Sequence, residues 1–542
     1  MNFKQYINWF CNSSTGIRWH IAVSGFAGIL RVCASLFFIW VCKQLIDIAT
    51  HVSDGRMIDY TILLVITVVL QLLLSIVIIR SKSKGEICFN NKLKHNLFSH
   101  IMLSVWDGKE RFHSGDILNR IEEDVRLTGD FLCKTLPSIV ITVVQLIAAF
   151  IFLCYLNTQL AWVVILIMPV FLLLSKVYIK RMRRLTKEIR SIDSDVQSHI
   201  QEKIQYKVLI QTLGQNKTVA EKLLFLQNGL YEKVMARTNF TIFSRTLVMA
   251  GFTTGYIVAF LWGVNGIFEG VISFGVMTAF LQLVGQVQQP IVDLSSYIPS
   301  LVHAATSADR LKELTDLSLE EQGEQQMIEG PAGIYLENIV FAFPDGHKHI
   351  IKNFSFDFVP GSRTAIVGKT GVGKSTLIRI MLALLHPQEG NVYLYNRNQR
   401  IETSPLTRCN LVYVPQGNTL LSGTIRDNLL LGNSNATDEQ LNKSLETAVA
   451  GFVHQLPEGL DTICGERGTG ISEGQAQRIC IARGLLRPGS ILLLDELSSS
   501  LDSETEHILM ERLTSQTGGK TLIFITHREV ITKYCDQTIK LV

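Results

Sequence analysis

Six apolar runs, each long enough to cross a bilayer as a helix, fill the chain up to about residue 300. A helix rises 1.5 Å per residue, so about 20 apolar residues span the roughly 30 Å hydrocarbon core. One such run would fit a buried core helix, but six in succession predict a membrane domain with six spans. The runs are Ile21–Cys42, Tyr60–Ile79, Pro137–Leu156, Leu160–Ile179, Leu247–Phe268 and Val271–Ile291.

The connections between these runs alternate between short and long. The two long ones, Arg80–Leu136 and Lys180–Thr246, carry most of the lysines and arginines near the membrane, which predicts that both lie in the cytosol. An even number of spans places the amino terminus and the second half of the chain on the same side. We expect each long connection to fold as two antiparallel helices beyond the bilayer. Two stretches near their tips, Phe112–Arg120 and Ser198–Glu202, are candidates for docking on a soluble domain.

Five polar residues inside the predicted spans form a candidate substrate site. Arg31 lies near the middle of the first span, where a lipid-facing charge costs at least about 2.5 kcal/mol. The other four recur at helical spacing on one face of the last span, and they are Gln282, Gln286, Gln289 and Asp293. One interpretation is a translocation cavity in which Arg31 meets an anionic group of the substrate. The other is a polar seam, or an Arg31–Asp293 pair, that only holds helices together.

The composition limits the class of protein. Hydrophobic residues make up 47% of the chain and charged residues 18%, which fits membrane segments joined to a soluble part. A net charge of +4 is too small to indicate a nucleic-acid partner. The ten cysteines show no C-x-x-C spacing, so we expect reduced thiols and no cysteine metal site. The amino terminus lacks a cleavable signal sequence, and the first span is expected to be a retained anchor.

A phosphate-binding loop lies in the second half of the chain, in the sequence GKTGVGKST. An apolar run precedes it and a helical pattern follows, which is the strand–loop–helix setting that the motif requires. Lys374 is expected to neutralise the β- and γ-phosphate oxygens, while the hydroxyl of Ser375 binds Mg²⁺. The predicted phosphate-binding residues are Gly368, Lys369, Thr370, Gly371, Val372, Gly373, Lys374, Ser375 and Thr376.

A second element of the same chemistry follows the apolar run Ile491–Leu494. The run predicts a buried strand in an α/β domain that begins at about Gly333. Asp495 at its carboxyl end is suited to hold Mg²⁺, and Glu496 is suited to orient or deprotonate the attacking water.

Between these two elements the chain resembles the ATP-binding cassette family. The segment Ile471–Gln475, with the sequence ISEGQ, is similar to that family's LSGGQ signature. The resemblance implies that Ser472, Gly474 and Gln475 contact the γ-phosphate of ATP bound to an opposite subunit. Glu473 replaces the usual first glycine and brings a negative charge near the triphosphate, which puts the rate of hydrolysis, not the binding mode, in question.

Other motifs of the family are also present along the chain. The resemblance implies that Gln416 contacts Mg²⁺ or the attacking water and that His527 contacts the γ-phosphate. Ser499–Asp502 resembles the D-loop, and Phe343 takes the place of the aromatic residue that stacks on adenine. The implied ligands of Mg²⁺ are Ser375, Gln416 and Asp495.

The resemblance extends over essentially the whole chain and implies an exporter-type half-transporter. The expected fold is a six-helix transmembrane domain with long cytosolic helical extensions (residues 1–315), a linker (316–332) and an α/β P-loop ATPase domain (333–542). The expected activity is ATP-driven export or flipping of an undefined substrate by alternating access. A dimer with an identical or a different subunit is expected, in a bacterial inner membrane and in contact with its lipids. The alternative is an ATP-gated channel or regulatory protein without net pumping.

Overall fold

The chain divides into two compact units. The computed structural model describes residues 3–106, 114–156, 158, 168–343, 349–369, 371–465, 470–497 and 501–541. The helical unit comprises Met1–Phe98 and Gly115–Leu314, and the sheet unit comprises Ser99–Ser114 and Thr315–Val542. The segment after residue 98 therefore packs with the sheet unit, although it continues a helix of the helical unit.

Long helices build the helical unit because its apolar runs satisfy their backbone groups internally. Gly28 allows helix Arg18–Ala49 to approach helix Leu136–Leu156, since a Cβ on Gly28 would lie 2.0 Å from Cδ1 of Ile141. The helices are Phe3–Ser13, Arg18–Ala49, Met57–Met102, Ser114–Asn119, Val125–Asp130, Leu136–Leu156, Met168–Gln205, Lys207–Thr212, Asn216–Phe268 and Phe274–Thr315, with π-helical turns at Arg120–Asp124 and Phe131–Thr135.

Within the described part of the chain, four helical stretches have the length and apolar composition to cross a membrane. They are Arg18–Ala49, Met57–Met102, Gly115–Leu156 and Asn216–Phe268. Four of the six predicted spans fall inside them. The predicted span Leu160–Ile179 lies partly outside the described residues. Val271–Ile291 overlaps helix Phe274–Thr315, and its role as a span stays a prediction.

The described parts of the two long connections are largely helical, as expected, and the second reverses direction after the stretch that was predicted to lie near its tip. Ser198–Glu202 lies inside helix Met168–Gln205, whereas the chain turns at Gly214, which has a φ of +67°. The short helix Lys207–Thr212 precedes this turn. Glycine adopts a positive φ without steric penalty, and that local signal fixes the turn better than the helical pattern did. In the first docking stretch, residues 112 and 113 lie outside the described residues.

A buried ionic cluster ties the first connection to the end of the last helix. Arg120 is 7% exposed and donates to Asp116 over 2.8 Å and to Glu313 over 2.6 Å. Arg310 donates to Asp116 over 2.8 Å and lies 3.2 Å from Asp124. Removing one partner of such a cluster leaves a buried charge uncompensated, so the cluster favours one register between these segments.

Two sheets form the second unit. Strands β3, β6, β9, β10 and β11 make a parallel sheet in the order β11-β3-β10-β9-β6, and strands β1, β2, β4 and β5 make an antiparallel sheet in the order β2-β1-β4-β5. The bounds are β1 Gly333–Phe341, β2 Ile351–Phe358, β3 Arg363–Gly368, β4 Glu389–Tyr395, β5 Arg400–Glu402, β6 Leu411–Val414, β7 Gly423–Thr424, β8 Ile463–Cys464, β9 Ile491–Asp495, β10 Thr521–Thr526 and β11 Gln537–Leu541.

Helices cover the parallel sheet, so its central strands β9 and β10 are buried along their whole length and are largely apolar. Every residue of β9 and β10 is buried, which explains why these runs are continuous and do not alternate. The helices of this unit are Lys374–Met381, Ile425–Leu430, Asp438–Thr447, Glu473–Leu485 and Ser503–Gln516.

Candidate functional site

The candidate site lies at one edge of the parallel sheet. Four neighbouring strands end there, because parallel strands present their carboxyl ends on the same side. Strand β3 ends at Gly368, β6 leads to Gln416, β9 leads to Glu496 and β10 leads to His527. Residues that are far apart in the sequence are therefore brought to one edge.

The phosphate loop joins β3 to helix Lys374–Met381. Gly373 precedes this helix with a φ of +110°, and a Cβ there would lie 2.8 Å from Cγ2 of Ile350, so only glycine fits. The side chain of Lys374 crosses the loop, where its Nζ donates to the carbonyl oxygens of Gly368 at 2.7 Å and Lys369 at 3.1 Å. Thr370 lies outside the described residues. The loop thus presents a cation and a helix amino terminus on one side, as anion binding requires.

Asp495 is a buried carboxylate at the end of β9. It is 5% exposed, and the hydroxyl of Tyr413 donates to its Oδ2 over 3.4 Å. Burial and the negative charge of Glu496 raise the pKa of Asp495 to about 6. Burial and the charge of Asp495 in turn raise the pKa of Tyr413 to about 12, so this hydroxyl stays protonated. Lys374 and Arg379 partly offset the charge of Asp495.

The other two predicted catalytic residues, Gln416 and His527, lie around the carboxylate of Glu496. Gln416 Nε2 donates to Glu496 Oε2 over 2.7 Å, and His527 Nδ1 lies 3.5 Å from Glu496 Oε1. The Glu496 side chain is 17% exposed, which leaves it open to water on one side. A carboxylate held by an amide and an imidazole at the mouth of a phosphate loop has the arrangement of a general base.

The backbone at Glu496 is strained. Its φ is +47°, in the left-handed region that a glutamate rarely adopts. Its N–H donates to the carbonyl of Ile525 at 2.9 Å, and its own carbonyl accepts from Nε2 of Gln477 at 3.0 Å. These two hydrogen bonds hold the backbone of Glu496 in its left-handed conformation. Backbone strain of this kind is common at functional sites.

The signature segment begins helix Glu473–Leu485. Ser472 caps this helix: its Oγ accepts from the N–H of Gln475 at 3.3 Å, and Oε1 of Gln475 accepts from the N–H of Ser472 at 3.1 Å. Ser472 and Glu473 are exposed, and Gly474 is half-buried. Two of the residues predicted to contact a nucleotide therefore order each other before any partner arrives.

Phe343 and Asp502 are two further residues of the predicted nucleotide site that the structure describes. Phe343 is half-buried, with its ring edge-on to that of Phe341 at a centroid distance of 5.1 Å. Asp502 caps helix Ser503–Gln516 by accepting from the N–H of Thr505 at 2.9 Å. Residues 499 and 500 of the D-loop lie outside the described residues.

The candidate substrate residues separate into two groups. Arg31 and Gln286 line one cavity within the helical unit. The residues that line this cavity do not include Gln282, Gln289 or Asp293, and Gln289 instead donates to Asp293 over 2.9 Å. Among the described residues, Arg31 forms no ion pair with Asp293. The structure therefore does not support that pair as the link between the two helices.

Sequence reasoning missed three contributors to the nucleotide site. Tyr413 and Gln477 contact Asp495 and Glu496 respectively, but neither lies at a position that motif spacing marks. Arg379 lies on the helix after the phosphate loop, and the ring of Trp106 packs 4.8 Å from its guanidinium carbon. Trp106 belongs to the segment of the sheet unit that continues helix Met57–Met102. Gln477 is the one polar residue among those that helix Glu473–Leu485 buries, and that position was the available signal for it.

Oxygen donors suited to Mg²⁺ occur at the site. A hydroxyl at Ser375, an amide at Gln416 and a carboxylate at Asp495 are hard ligands of the kind that Mg²⁺ prefers. Among the described residues, no group of three or more histidine, cysteine or acidic side chains is arranged to hold a metal ion by itself. This donor set fits Mg²⁺ that is also held by phosphate oxygens, and it does not fit a zinc centre.

The ionised form of Asp495 is expected to destabilise the nucleotide-free protein. Its pKa of about 6 exceeds the ordinary value of about 4, so the folded state binds the proton more tightly than the unfolded state. The destabilisation is present above about pH 6 and disappears as the pH falls toward 4. Asp495→Asn should raise stability at pH 7.5 by on the order of 2 kcal/mol.

Thermal denaturation of the full chain without nucleotide, at pH 7.5 and pH 5, measures this effect. We expect Asp495→Asn to raise the midpoint by about 5 °C at pH 7.5 and by about half as much at pH 5, because the carboxyl is then partly protonated in the folded state. The exposed Glu511→Gln is the matched control and should shift neither midpoint. An equal shift of the Asp495→Asn midpoint at both pH values would contradict the assigned role of burial.

Comparisons with known proteins match both units. Residues 21–291 match the family description "ABC transporter transmembrane region", and residues 351–499 match "ABC transporter". A probable multidrug resistance ABC transporter ATP-binding/permease protein of Bacillus subtilis is 27% identical over 457 residues, which cover 83% of this chain and 68% of that protein. An ATP-dependent lipid A-core flippase of Pseudomonas fluorescens is 28% identical over 441 residues, with coverages of 80% and 73%. A solved structure of a bacterial Atm1-family ABC exporter with ATP bound has a TM-score of 0.81 and 21% identity, and the match covers 97% of this chain and 94% of that one.

Proposed function

The chain belongs to the ABC transporter family, and from that premise we propose that it is an exporter-type half-transporter that works as a dimer. As a family member it is an integral membrane protein that binds ATP and couples its hydrolysis to transport. The proposed direction is outward, from the cytosol through a bacterial inner membrane. The proposed domain limits are 1–315, 316–332 and 333–542.

One observation carries the proposal: three predicted catalytic residues from three strand ends meet at the Glu496 carboxylate, beside a phosphate loop. Glu496 acts as the general base that takes a proton from the attacking water. Gln416 orients this carboxylate, and His527 contacts the γ-phosphate. A channel that only requires ATP binding has no use for such an assembled base.

The nucleotide is held by two subunits in this proposal. Phe343 stacks on adenine, the loop from Gly368 to Thr376 surrounds the phosphates, and Lys374 neutralises their charge. The ligands of Mg²⁺ are Ser375, Gln416 and Asp495. When bound, Mg²⁺ neutralises the charge that develops on the phosphates during transfer. The residues that close the site from the second subunit are Ser472, Gly474 and Gln475.

Closure of the site that the two subunits share drives the movement of the membrane helices. ATP binding draws two sheet units together, and the membrane helices switch from inward-facing to outward-facing. Hydrolysis at Glu496 then resets the cycle. One of the two named relatives is a probable multidrug resistance transporter and the other is a lipid A-core flippase, so the comparisons support export or flipping without selecting one substrate.

Transport into sealed vesicles tests the proposal. The full chain is reconstituted with its sheet unit outward, and the uptake of a fluorescent phospholipid and of a cationic dye is followed. We expect uptake of at least one probe against its gradient with ATP and none with a non-hydrolysable analogue. Equal downhill flux with ATP and with the analogue would instead identify a gated channel.

A further inference from the structure

A polar cavity of about 320 Å³ lies among the helices of the helical unit and is open on one side, where Arg31 is exposed. Four helices contribute to its lining, and no carboxylate is among the lining residues. Its polar lining residues are Arg31, Ser35, Gln71, Ser75, Gln145 and Gln286. A cavity of this size accommodates a head group and the first carbons of an aliphatic chain.

Neutral hydrogen bonds organise the wall of the cavity. Nε2 of Gln145 donates to Oε1 of Gln286 over 2.5 Å, and Nε2 of Gln286 donates to Oγ of Ser35 over 3.3 Å. On the neighbouring wall, Nε2 of Gln71 donates to the carbonyl of Ala34 over 3.4 Å. The amides are thus fixed in position, and Arg31 supplies the charge of the cavity.

Arg31 has no acidic partner among the described residues. Its one contact there is a long hydrogen bond of 3.4 Å to Oγ of Ser75. A guanidinium has five N–H donors, so most of them remain available to a ligand. An unpaired cation at this depth in a membrane is unfavourable, and such residues commonly mark a binding site for an opposite charge.

A second cation lies close by. Lys82 follows Ser75 by seven residues, which is two turns of helix Met57–Met102 and about 10 Å along its axis. Nζ of Lys82 donates to Oγ of Ser138 over 2.7 Å, while Glu86, one turn further along, lies 2.8 Å from Lys134. Neither cation is therefore neutralised within the described part of the chain.

We propose that this cavity binds the phosphate or carboxylate head group of an anionic amphiphile, which is the transported substrate. The proposal rests on the export function above and adds a substrate class to it. Arg31 forms charge-assisted hydrogen bonds to the head group, and Lys82 attracts it from the end nearer the cytosol. The apolar lining residues Val32, Val68 and Leu72 contact the start of the hydrocarbon tail.

Direct binding tests this substrate class without any need for ATP. The full chain in phosphatidylcholine nanodiscs is titrated with radiolabelled dodecyl phosphate, and empty nanodiscs provide the background. Dodecyltrimethylammonium and inorganic phosphate serve as competitors. We expect saturable binding that the cationic amphiphile displaces at least about tenfold less well than unlabelled dodecyl phosphate does. Inorganic phosphate alone should compete poorly, because it lacks the tail.

Substitutions locate the site. Arg31→Gln should weaken binding about tenfold, since it removes a charge-assisted contact, and Arg31→Lys should keep most of the binding. Lys82→Gln should weaken binding by a smaller factor, since Lys82 attracts the head group without lining the cavity. The matched controls Arg80→Gln and Lys84→Gln remove exposed cations on the same helix as Lys82 and should leave binding unchanged.

Three outcomes would overturn the proposal. One is that the cationic and the anionic amphiphile displace the radiolabelled ligand equally well, a result that needs only the unsubstituted protein. Another is unchanged binding in both Arg31→Gln and Lys82→Gln. The third is equally effective competition by inorganic phosphate, which would identify a small-anion site. A failure of ATP-driven transport would leave the binding result intact, so the two proposals fail separately.

Discussion

Glu496→Gln is expected to lower the rate of ATP hydrolysis by a factor of about 100 to 10,000, the range that a general base contributes. Glutamine keeps the size of the side chain and can still accept from Nε2 of Gln416, but it cannot take a proton from water. ATP binding should persist, because the carboxylate at 496 is not part of the phosphate loop. Steady-state ATPase activity and equilibrium binding of a fluorescent ATP analogue measure the two effects separately.

Glu511→Gln provides the control for this experiment. Glu511 is exposed on helix Ser503–Gln516, and its replacement removes the same charge from the same unit. Both activity and binding should be unchanged there. Turnover of Glu496→Gln within tenfold of the unsubstituted protein would contradict the role of Glu496 as the base.

Mixing two inactive variants is expected to restore activity if the site is shared between subunits. Lys374→Ala removes the phosphate-loop cation, and Ser472→Ala removes the hydroxyl of the signature, so each variant alone should lose at least about 100-fold in ATPase activity. In a mixed dimer, one of the two sites contains Lys374 from one subunit and Ser472 from the other. Random pairing makes about half of the dimers mixed, so a readily measured fraction of activity should return.

The control mixes two separately prepared samples of Lys374→Ala, in which no intact site can form. Ser472→Ala also removes a helix cap worth about 1 kcal/mol, so the thermal midpoint of each variant is measured beside its activity. Failure of the mixture to exceed Lys374→Ala alone would rule against self-pairing with shared sites. In that case a different second subunit becomes the expected partner.

The fold class followed from the sequence because two strong patterns do not depend on tertiary detail. Spanning length predicted the membrane helices, and the phosphate loop predicted the α/β unit; the family and the fold are both confirmed. The residues Gln416, Glu496 and His527 could be named in advance: Glu496 follows a predicted buried strand, and Gln416 and His527 match motifs of the family that the chain resembles. Parallel strand ends meet whatever the loops between them do.

Contacts between side chains from different elements could not be predicted from the sequence. The bond from Tyr413 to Asp495 and the packing of Trp106 on Arg379 depend on how strands and loops are placed, which no periodicity encodes. The polar face of the last predicted span was recognised by its spacing, but only Gln286 of that set reaches the cavity. Helical spacing identifies a face and not its neighbour.

The turn in the second long connection shows a different limit of prediction from sequence. The helical pattern continues through Ser198–Glu202, a stretch that was predicted to lie near the tip. The chain reverses direction later, at Gly214, which has a positive φ. A single glycine outweighed several residues of helical propensity, because it permits a backbone conformation that most side chains exclude.

The cap at Ser472 also bears on how binding energy becomes motion. Oγ of Ser472 accepts from the N–H of Gln475, which leaves the hydroxyl proton available to an anion from outside. The segment is therefore preorganised, and little conformational entropy remains to be lost when it meets a nucleotide. More of the free energy of ATP binding then remains for drawing two subunits together. In the proposed dimer, the helix end at Ser472 therefore loses little binding energy to its own ordering.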